Sequence, residues 1–417
     1  MPWMFGWPVL DVVFCMAILS FFVEMNIGKI TFPKGMPQIY LLVGLWIASI
    51  MSHVANTYFK GILDTYQETF KICFFTILLF TVLDRSERLK HIAMLFVLMS
   101  VIMSIHALMQ DQLGYGFMGQ VPMWQSKIND YGENTGYYRS YFFGIFEDPN
   151  DLAQILAASI PFSFLLFKRS NVLNLFAGSL LTWLFVEALL ATHSRGGLVG
   201  LIASVAFTII LVFPARWLPY FMITLVVGGL VAIQFTAGFV DVSFRERVVY
   251  WGLGNQYFKA NPIFGIGYGM FWIVADSKAA HNAFVSAYVE MGLLGYFFWF
   301  SLILLGFIGG WRTRIALNYP QTADQAYLRK FAGLGIAALA SFSASSYFLS
   351  RTFIYQFFFM FAVLGALPYV ASKYLQEGQS IVIPRRFKEV VLFCLAGAVA
   401  SIAYIYISIL LLNKVMY

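Results

Sequence analysis

The chain has 417 residues, of which 60% are hydrophobic and only 11% are charged. A water-soluble fold of this length has too little interior to hide so many apolar side chains, so the composition excludes an ordinary soluble protein and indicates an integral membrane protein. Basic loops that meet anionic lipid head groups explain the net charge of +7, and no nucleic-acid partner is needed.

About twelve apolar runs of membrane-spanning length follow one another along the chain. They lie near 7–25, 37–56, 68–83, 91–110, 149–167, 172–192, 196–213, 217–236, 284–308, 331–350, 352–372 and 390–412. Such long runs differ from the short alternating strands of an outer-membrane barrel. The first run lacks a basic start, so we do not expect a cleaved signal peptide. The predicted fold is all-α, with residues 1–417 forming a single polytopic transmembrane domain.

Lysine and arginine are concentrated in alternate connections between these runs. The basic connections are 84–90, 168–169, 216, 312–330 and 373–388. Because basic loops remain in the cytoplasm, these segments should share the cytoplasmic side. The two longest polar segments, 111–148 and 237–283, should therefore face the side opposite the cytoplasm, and this count places both chain termini on that outer side.

The first long loop, 111–148, is rich in aromatic residues. They are Tyr115, Phe117, Trp124, Tyr131, Tyr137, Tyr138 and Tyr141. Aromatic rings at this density stack on sugars in some proteins and form a membrane-interface belt in others, and both interpretations fit this segment.

Acidic and amide residues mark the end of that loop, in Glu147-Asp148-Pro149-Asn150-Asp151. Aspartate and asparagine beside a proline suit the cap and first turn of the following helix, which is the favoured interpretation. Three acids could instead hold a divalent cation, although no second ligand group recurs at a defined spacing. We therefore do not expect a metal site.

Arg195 lies in a short polar turn, Thr192-His193-Ser194-Arg195-Gly196-Gly197, between two apolar runs. An arginine at a membrane boundary is costly without a partner, so it is a functional candidate. In a continuous helix, Glu187 would share a face with Arg195 about two turns away, and the pair would lock a helix hairpin. The paired glycines allow a close approach to the backbone and favour a ligand instead.

The second long loop, 237–283, carries Arg245, Arg247 and Trp251, followed by a glycine-rich run and then His281-Asn282. The GxGxG spacing at 265–269 does not indicate a dinucleotide site, because no βαβ unit surrounds it. These glycines instead predict a tight turn that returns the loop to the membrane. Asn282 predicts a helix start that holds His281 at its end.

Arginines and a histidine on a membrane scaffold suit one chemistry in particular. A guanidinium group binds diphosphate oxygens in a bidentate manner and keeps its charge, so a lipid-linked diphosphate is the expected ligand. A diphosphate leaving group needs charge neutralisation more than a proton. An attacking hydroxyl does need a base, and histidine is the usual one at neutral pH.

The order of these motifs resembles the O-antigen ligase and O-antigen polymerase superfamily. The resemblance rests on Ser194-Arg195-Gly196-Gly197, on Arg247 four residues before Trp251, on Asn-Pro-x-Phe-Gly-x-Gly-x-Gly and on His281-Asn282. It implies a GT-C-like fold in the bacterial inner membrane and an inverting, metal-independent glycosyltransferase that needs no cofactor. Its donor would be a glycan on undecaprenyl diphosphate at the periplasmic face.

The resemblance also implies residue roles. Arg195 and Arg247 would bind the diphosphate with help from Arg245, and His281 would activate the acceptor. The expected supporting residues are Glu187, His193, Asn282 and Trp251. The family commonly has one more helix before the large external loop and keeps its termini inside, so the first predicted helix departs from its pattern.

Three activities remain open from the sequence. A ligase would move the finished glycan to a lipid A core or a protein, and the Ser-Arg-Gly-Gly and His-Asn motifs favour this activity. A polymerase would join glycan repeat units on the lipid carrier. A transporter for an anionic solute would use the same arginines along a pathway, and discontinuous helices would support it.

Overall fold

The computed structural model describes residues 9–28, 36–126, 135–166, 171–211, 217, 220, 223, 242–275, 278–349, 352–375, 381 and 387–416. This part of the chain contains thirteen α-helices and one two-stranded antiparallel sheet. The predicted run at 217–236 lies almost wholly outside the described residues. Each of the other eleven predicted runs coincides with one helix.

The helices and strands follow in this order: α1 Val9–Asn26, α2 Pro37–Ala55, α3 Phe59–Val82, α4 Ser86–Leu113, β1 Met123–Gln125, β2 Tyr137–Arg139, α5 Pro149–Ser163, α6 Val172–Ala191, α7 Arg195–Ile210, α8 Val242–Ala260, α9 Phe271–Val274, α10 Ala283–Ala316, α11 Ala323–Ser346, α12 Tyr355–Ser372 and α13 Phe387–Met416. Six of the described helices, α2, α4, α6, α10, α12 and α13, contain spans long and apolar enough to cross a membrane. The chain is thus a mostly helical protein with several membrane spans.

Two elements differ from the sequence predictions. Helix α3 begins at Phe59 and not near residue 68, because its first turns carry polar residues that a search for apolar runs passes over. The second long loop contains α8, which mixes charged and apolar residues and therefore has no membrane-spanning signature. The site region is thus more helical than a polar loop would be.

The centre of the bundle is formed by α5, α11 and α12, whose side chains are mostly buried. Helix α7 packs against both α5 and α11. A β-carbon at Gly200 would lie 3.2 Å from the Ser341 carbonyl oxygen, so the glycine lets α7 lie close to α11. Small residues at such crossings are typical of membrane helix packing.

Contacts between loops divide the bundle into two ends. At the basic end, Lys90 Nζ lies 2.8 Å from Asp324 Oδ1, and Lys373 donates to the Asp84 carbonyl at 2.8 Å. At the opposite end, which we call the site end, Asn56 donates to the Gly265 carbonyl at 2.9 Å. These contacts follow the grouping of loops that their charges predict.

The last helix ends at the site end. Asn413 Nδ2 of α13 donates to the Val248 carbonyl of α8 at 3.3 Å. The end of α13 and the second long loop, which the sequence count placed on the same side, therefore meet at this end of the bundle.

Helix α10 is interrupted at Gly292, where the backbone has φ 63° and ψ −167°. The break frees backbone groups that a continuous helix would pair. Segment 262–267 satisfies them with four hydrogen bonds: Ile266 N to Val289 O (3.0 Å), Gly267 N to Glu290 O (3.0 Å), Leu293 N to Pro262 O (2.8 Å) and Leu294 N to Ile263 O (3.1 Å). The glycine-rich segment is therefore an integral part of the helix bundle.

Two glycines make this insertion possible. A β-carbon at Gly292 would lie 2.3 Å from the Ile263 carbonyl oxygen, and one at Gly265 would lie 2.4 Å from the Glu290 carbonyl. Both residues also have positive φ. The tight turn predicted from these glycines exists, and its partner is a broken helix inside the bundle.

Candidate functional site

The start of α10 fixes the position of His281. Asn282 is fully buried, and its Oδ1 accepts hydrogen bonds from the amides of Phe284 (3.0 Å) and Val285 (3.1 Å). The predicted helix cap is therefore confirmed. His281 precedes this cap with φ 49°, a left-handed conformation that is uncommon for a residue with a side chain and recurs at functional sites. Its side chain is exposed.

Helix α8 holds the segment before His281. The buried Trp251 indole donates from Nε1 to the Ala280 carbonyl at 2.6 Å. Its ring packs edge-on against Tyr347 at 5.8 Å. Trp251 thus anchors the residue directly before His281.

The surroundings of His281 lower its pKa from the ordinary value of 6.5, because part of the ring is packed against protein although the side chain as a whole reaches the surface. The largest cause is desolvation of the ring by neighbouring protein atoms, and the second is the positive charge of Arg247. Asp148 opposes this shift, whereas Lys278 adds to it. These three charges therefore lie within electrostatic reach of the imidazole, which is neutral at pH 7 and able to accept a proton.

Arg247 and Arg245 occupy different positions on α8. Arg247 is half-buried and lies one helical turn before Trp251, so the two share a face. Arg245 is exposed, and residues two apart on a helix do not face the same neighbour. The fold brings Arg247 to His281, whereas Arg245 points elsewhere.

Asp148 caps α5 by accepting from the Asn150 amide at 2.8 Å, as its sequence predicts. The same Oδ1 accepts from the Asn150 side chain at 2.9 Å. Among the described residues, no three His, Cys, Asp or Glu side chains are grouped as metal ligands. Asp148 therefore combines a structural bond with an electrostatic effect on His281.

A hydrogen-bonded network joins Asp148 to the α6–α7 turn. Asn150 Oδ1 accepts from Ser194 Oγ at 2.7 Å and from Arg139 Nη2 at 3.0 Å. The mostly buried Arg139 also donates from Nε to the Thr192 carbonyl at 2.8 Å. Burial lowers the pKa of Arg139 and the negative charge of Asp148 opposes that shift. The first loop, α5 and the turn thus form one unit.

The helix break at 192–194 changes the interpretation of Glu187 and Arg195. Helix α6 ends at Ala191 and α7 starts at Arg195, so Glu187 and Arg195 do not share the continuous helix that their predicted pairing assumed. The chain breaks there because Ser194 caps α7, accepting from the Gly197 amide at 3.1 Å. The Glu187 side chain is half-buried on α6.

The glycines after Arg195 serve helix packing. A β-carbon at Gly197 would lie 2.5 Å from the Ala153 β-carbon of α5, and one at Gly196 would lie 3.3 Å from Phe348. The sequence predicted that a ligand approaches the backbone at these glycines, but side chains of α5 and of the segment after α11 occupy that space instead. This interpretation of the glycines was wrong, and it leaves Arg195 itself as the ligand candidate.

A cavity of about 360 Å³ opens beside Arg195. Its polar wall contains Arg195, Ser194 and His193, and its apolar wall contains leucines of α6 and α7. Tyr137 of the aromatic loop closes one side and packs edge-on against His193 at 5.2 Å. A cationic wall beside an apolar one can accept an anionic head group that carries a lipid chain.

Different residues of the aromatic loop fit the two predicted roles, which are stacking on a ligand and forming a membrane-interface belt. Tyr137 lines the cavity, whereas Trp124 and Tyr138 pack against each other at 4.8 Å and are half-exposed or more. Tyr131 lies outside the described residues. One aromatic residue is thus positioned to contact a ligand.

A second cavity of about 270 Å³ lies between α3, α4, α5 and α12. Its lining is almost wholly apolar and includes Phe75, Phe96, Met99, Phe142 and Phe146. Phe146 precedes Asp148 by two residues. This cavity therefore ends close to the network at the start of α5.

Sequence reasoning missed three members of the site. Arg139 belongs to no motif, and Asn150 and Lys278 gave no sign beyond ordinary cap and loop residues. Their roles depend on segments that meet only in the folded chain.

Residues 180–300 match the family model described as O-Antigen ligase. This segment spans the end of α6, then α7, α8 and the first half of α10, and so contains Arg195, Arg247, Trp251 and His281. No curated protein matches the chain. The resemblance to the ligase and polymerase superfamily is therefore confirmed.

Proposed function

We propose that this chain, whose residues 180–300 carry the O-antigen ligase family pattern, transfers a glycan from undecaprenyl diphosphate to an acceptor hydroxyl at the periplasmic face of the bacterial inner membrane. The observation that carries the proposal is the placement of His281 between the Asn282 cap and the Trp251–Ala280 hydrogen bond, with Arg247 one turn before Trp251 and the charges of Arg247 and Asp148 acting on the imidazole. The basic loops at the other end support a cytoplasmic position for that end.

Arg195 and Arg247 bind the donor diphosphate. Arg195 lines a cavity at the start of α7, where the helix dipole adds to its positive charge. A guanidinium group neutralises charge on phosphate oxygens without giving up a proton, which is what a departing diphosphate requires. Leaving-group departure is thus assisted electrostatically.

His281 acts as the general base. Its lowered pKa keeps the imidazole neutral, so it can take the proton of the acceptor hydroxyl while that oxygen bonds to the anomeric carbon. The bond from that carbon to the diphosphate oxygen breaks, and the diphosphate keeps the electron pair. Asp148 then stabilises the imidazolium. A single displacement of this kind inverts the configuration at the anomeric carbon.

The apolar cavity beside Phe142 and Phe146 suits the isoprenoid chain of the donor. It lies within the bundle and ends near Asp148, so a chain there would leave the diphosphate beside the site. Its almost complete lack of polar lining favours a hydrocarbon over a sugar.

The ligase reaction is our first candidate, because the matching family model is described by that activity and the Ser-Arg-Gly-Gly and His-Asn motifs favour it. The acceptor would be a lipid A core, a protein or another glycan. A polymerase would use the same donor site and the same base.

A transporter for anionic solutes is the candidate from another class. The break in α10 is the feature that favours it, because broken helices form solute sites in transporters. Here, however, segment 262–267 fills the break with backbone hydrogen bonds. The freed groups are used within the protein, which favours the enzyme.

The test is a transfer assay in proteoliposomes containing the purified protein, a defined lipid-diphosphate oligosaccharide and either a lipid A core or a lipid-linked glycan as acceptor. We expect a glycan product from wild type and none from His281→Ala. Lys259→Ala, which removes an exposed cation from the far part of α8, is the matched control and should retain activity. Anionic solute flux without any glycan product would contradict the proposal.

A further inference from the structure

The basic end contains an unusual group of cations between α10 and α11. Arg312, Arg314, Arg329 and Lys330 are all half-buried, and we call them the cation cluster. Arg314 and Arg329 repel each other, which shows that the two helices bring them together. Half-buried like charges that lie close together are unfavourable unless an anion lies between them.

Other cations at this end have acidic partners. Asp84 pairs with Arg85 and Arg88 at 3.2 Å each, and Asp324 accepts from both Lys90 and Ser86 at 2.8 Å. Asp324 lies five residues before Arg329 but is already engaged. Within the described parts of the chain, Arg312, Arg314 and Arg329 form no ion pair with a carboxylate.

Two guanidinium donors of the cluster are buried without a hydrogen-bond partner among the described residues. They are Nη1 of Arg312 and Nε of Arg329. Other donors of the cluster are engaged, since Arg329 Nη2 donates to Asn318 Oδ1 at 3.1 Å and Arg314 donates to the Leu211 carbonyl. A buried charged donor without an acceptor is costly, so these two atoms indicate a missing acceptor.

Apolar and aromatic groups border the cluster. The Arg314 guanidinium lies 5.7 Å from the Trp311 ring centre, and Ile315 is half-exposed. Tryptophan beside arginine at the end of a spanning helix is typical of the lipid head-group region. The surroundings thus favour an acceptor that carries acyl chains over a soluble anion.

We propose that the cation cluster binds the phosphate of an anionic phospholipid head group. Bidentate guanidinium–phosphate bonds would satisfy the two buried donors and remove the repulsion between Arg314 and Arg329. The cluster is separate from the donor site, because α10 carries the two at opposite ends, on the order of 50 Å apart for its 34 residues.

The experiment measures thermal unfolding of the purified full chain in detergent with added phosphatidylglycerol or phosphatidylethanolamine. The wild type should be stabilised more by phosphatidylglycerol. In the Arg312→Gln/Arg329→Gln variant, the apparent affinity for phosphatidylglycerol should fall about tenfold or more. Arg85→Gln is the matched control, because Arg85 lies at the same end but already forms an ion pair with Asp84. This variant should keep the wild-type response to phosphatidylglycerol.

Three results would overturn the proposal: an unchanged response of the double variant, an equal response of wild type to both lipids, or a response reproduced by inorganic phosphate at the same concentration. If the double variant does not fold, Arg312→Lys and retained-lipid counting by native mass spectrometry of wild type replace it. Wild type should then retain phosphatidylglycerol in preference to phosphatidylethanolamine, and Arg312→Lys should retain less. His281→Ala should bind the lipid normally, so failure here is distinguishable from failure of the proposed function.

Discussion

At the residue scale, partial burial and the neighbouring charges together decide whether His281 can act as a base, and partial burial has the larger effect. Arg247 and Lys278 disfavour the imidazolium form, and Asp148 favours it. Because the net shift lowers the pKa, the base is available at neutral pH. Activity should therefore be lost only as the pH falls below about 6.5.

Asp148→Asn tests this balance. Asparagine caps a helix as well as aspartate does, so α5 should remain intact. Removing the negative charge lowers the pKa of His281 further, because the imidazolium loses its only favourable neighbour among the named charges. The acid limb of the kcat/KM profile should shift to lower pH, and kcat should fall because the base is weaker. An unchanged acid limb would show that the charge of Asp148 does not act on His281.

Arg247→Ala and Arg245→Ala form a matched pair on one helix. The first removes a charge that reaches His281, and the second removes an exposed one. Transfer should fall by roughly 10²–10³-fold in Arg247→Ala, as is typical for a lost electrostatic contact to a leaving group, and only slightly in Arg245→Ala. The acid limb of Arg247→Ala should also move to higher pH, since the imidazolium is no longer repelled. Equal losses in both variants would contradict the arrangement on α8.

Some site residues could be predicted from sequence and others could not. Asn282 could be predicted as a helix cap because it lies at the boundary between polar and apolar residues, and this placed His281 at the helix start. Arg139 had no such sign, because its bonds to Thr192 and Asn150 exist only when the first loop folds against the α6–α7 turn. Local patterns report caps, whereas contacts between distant segments leave no local pattern.

At the element scale, the interruption of α10 holds the glycine-rich segment in the bundle. The sequence gives no sign of the break, because glycine inside an apolar run is common in membrane helices. Helix α8 was missed for the related reason that its charged residues resemble those of a loop. Long apolar helices, in contrast, were predicted well because their composition alone requires burial in lipid or protein.

Gly292→Ala tests the role of this break. The new methyl group would lie 2.3 Å from the Ile263 carbonyl oxygen on a backbone with positive φ, so the loop must shift. We expect a large loss of thermal stability together with loss of transfer. Gly269→Ala is the control, since Gly269 also has positive φ but nothing lies within 4 Å of the added carbon. It should cost only about 1–2 kcal/mol. Similar stability of both variants would show that the close contact is unimportant.

At the scale of the whole molecule, the two ends of the bundle have different charges and different roles. Basic loops meet at one end, and the start of α10 and the α6–α7 turn lie at the other. Charge in the connections predicted this grouping because each loop obeys the same electrostatic preference independently of its neighbours. Function at the membrane surface thus depends on which end faces the periplasm.

Cysteine labelling tests that orientation. Met118→Cys lies in the first long loop and Tyr319→Cys in a basic connection, and both positions are exposed, at 58% and 83%. With the exposed Cys15 replaced by serine, a membrane-impermeant maleimide should label position 118 in intact spheroplasts. Position 319 should react only after lysis. The reverse pattern would place the site in the cytoplasm.

Chemical rescue of His281→Ala in the proteoliposome assay tests the central claim most directly. We predict that transfer from the lipid-diphosphate donor is abolished and that added imidazole restores part of it, in proportion to the concentration of its neutral form. Imidazole should not restore transfer to Arg247→Ala. A His281→Ala protein that transfers glycan at the wild-type rate without imidazole would contradict the account.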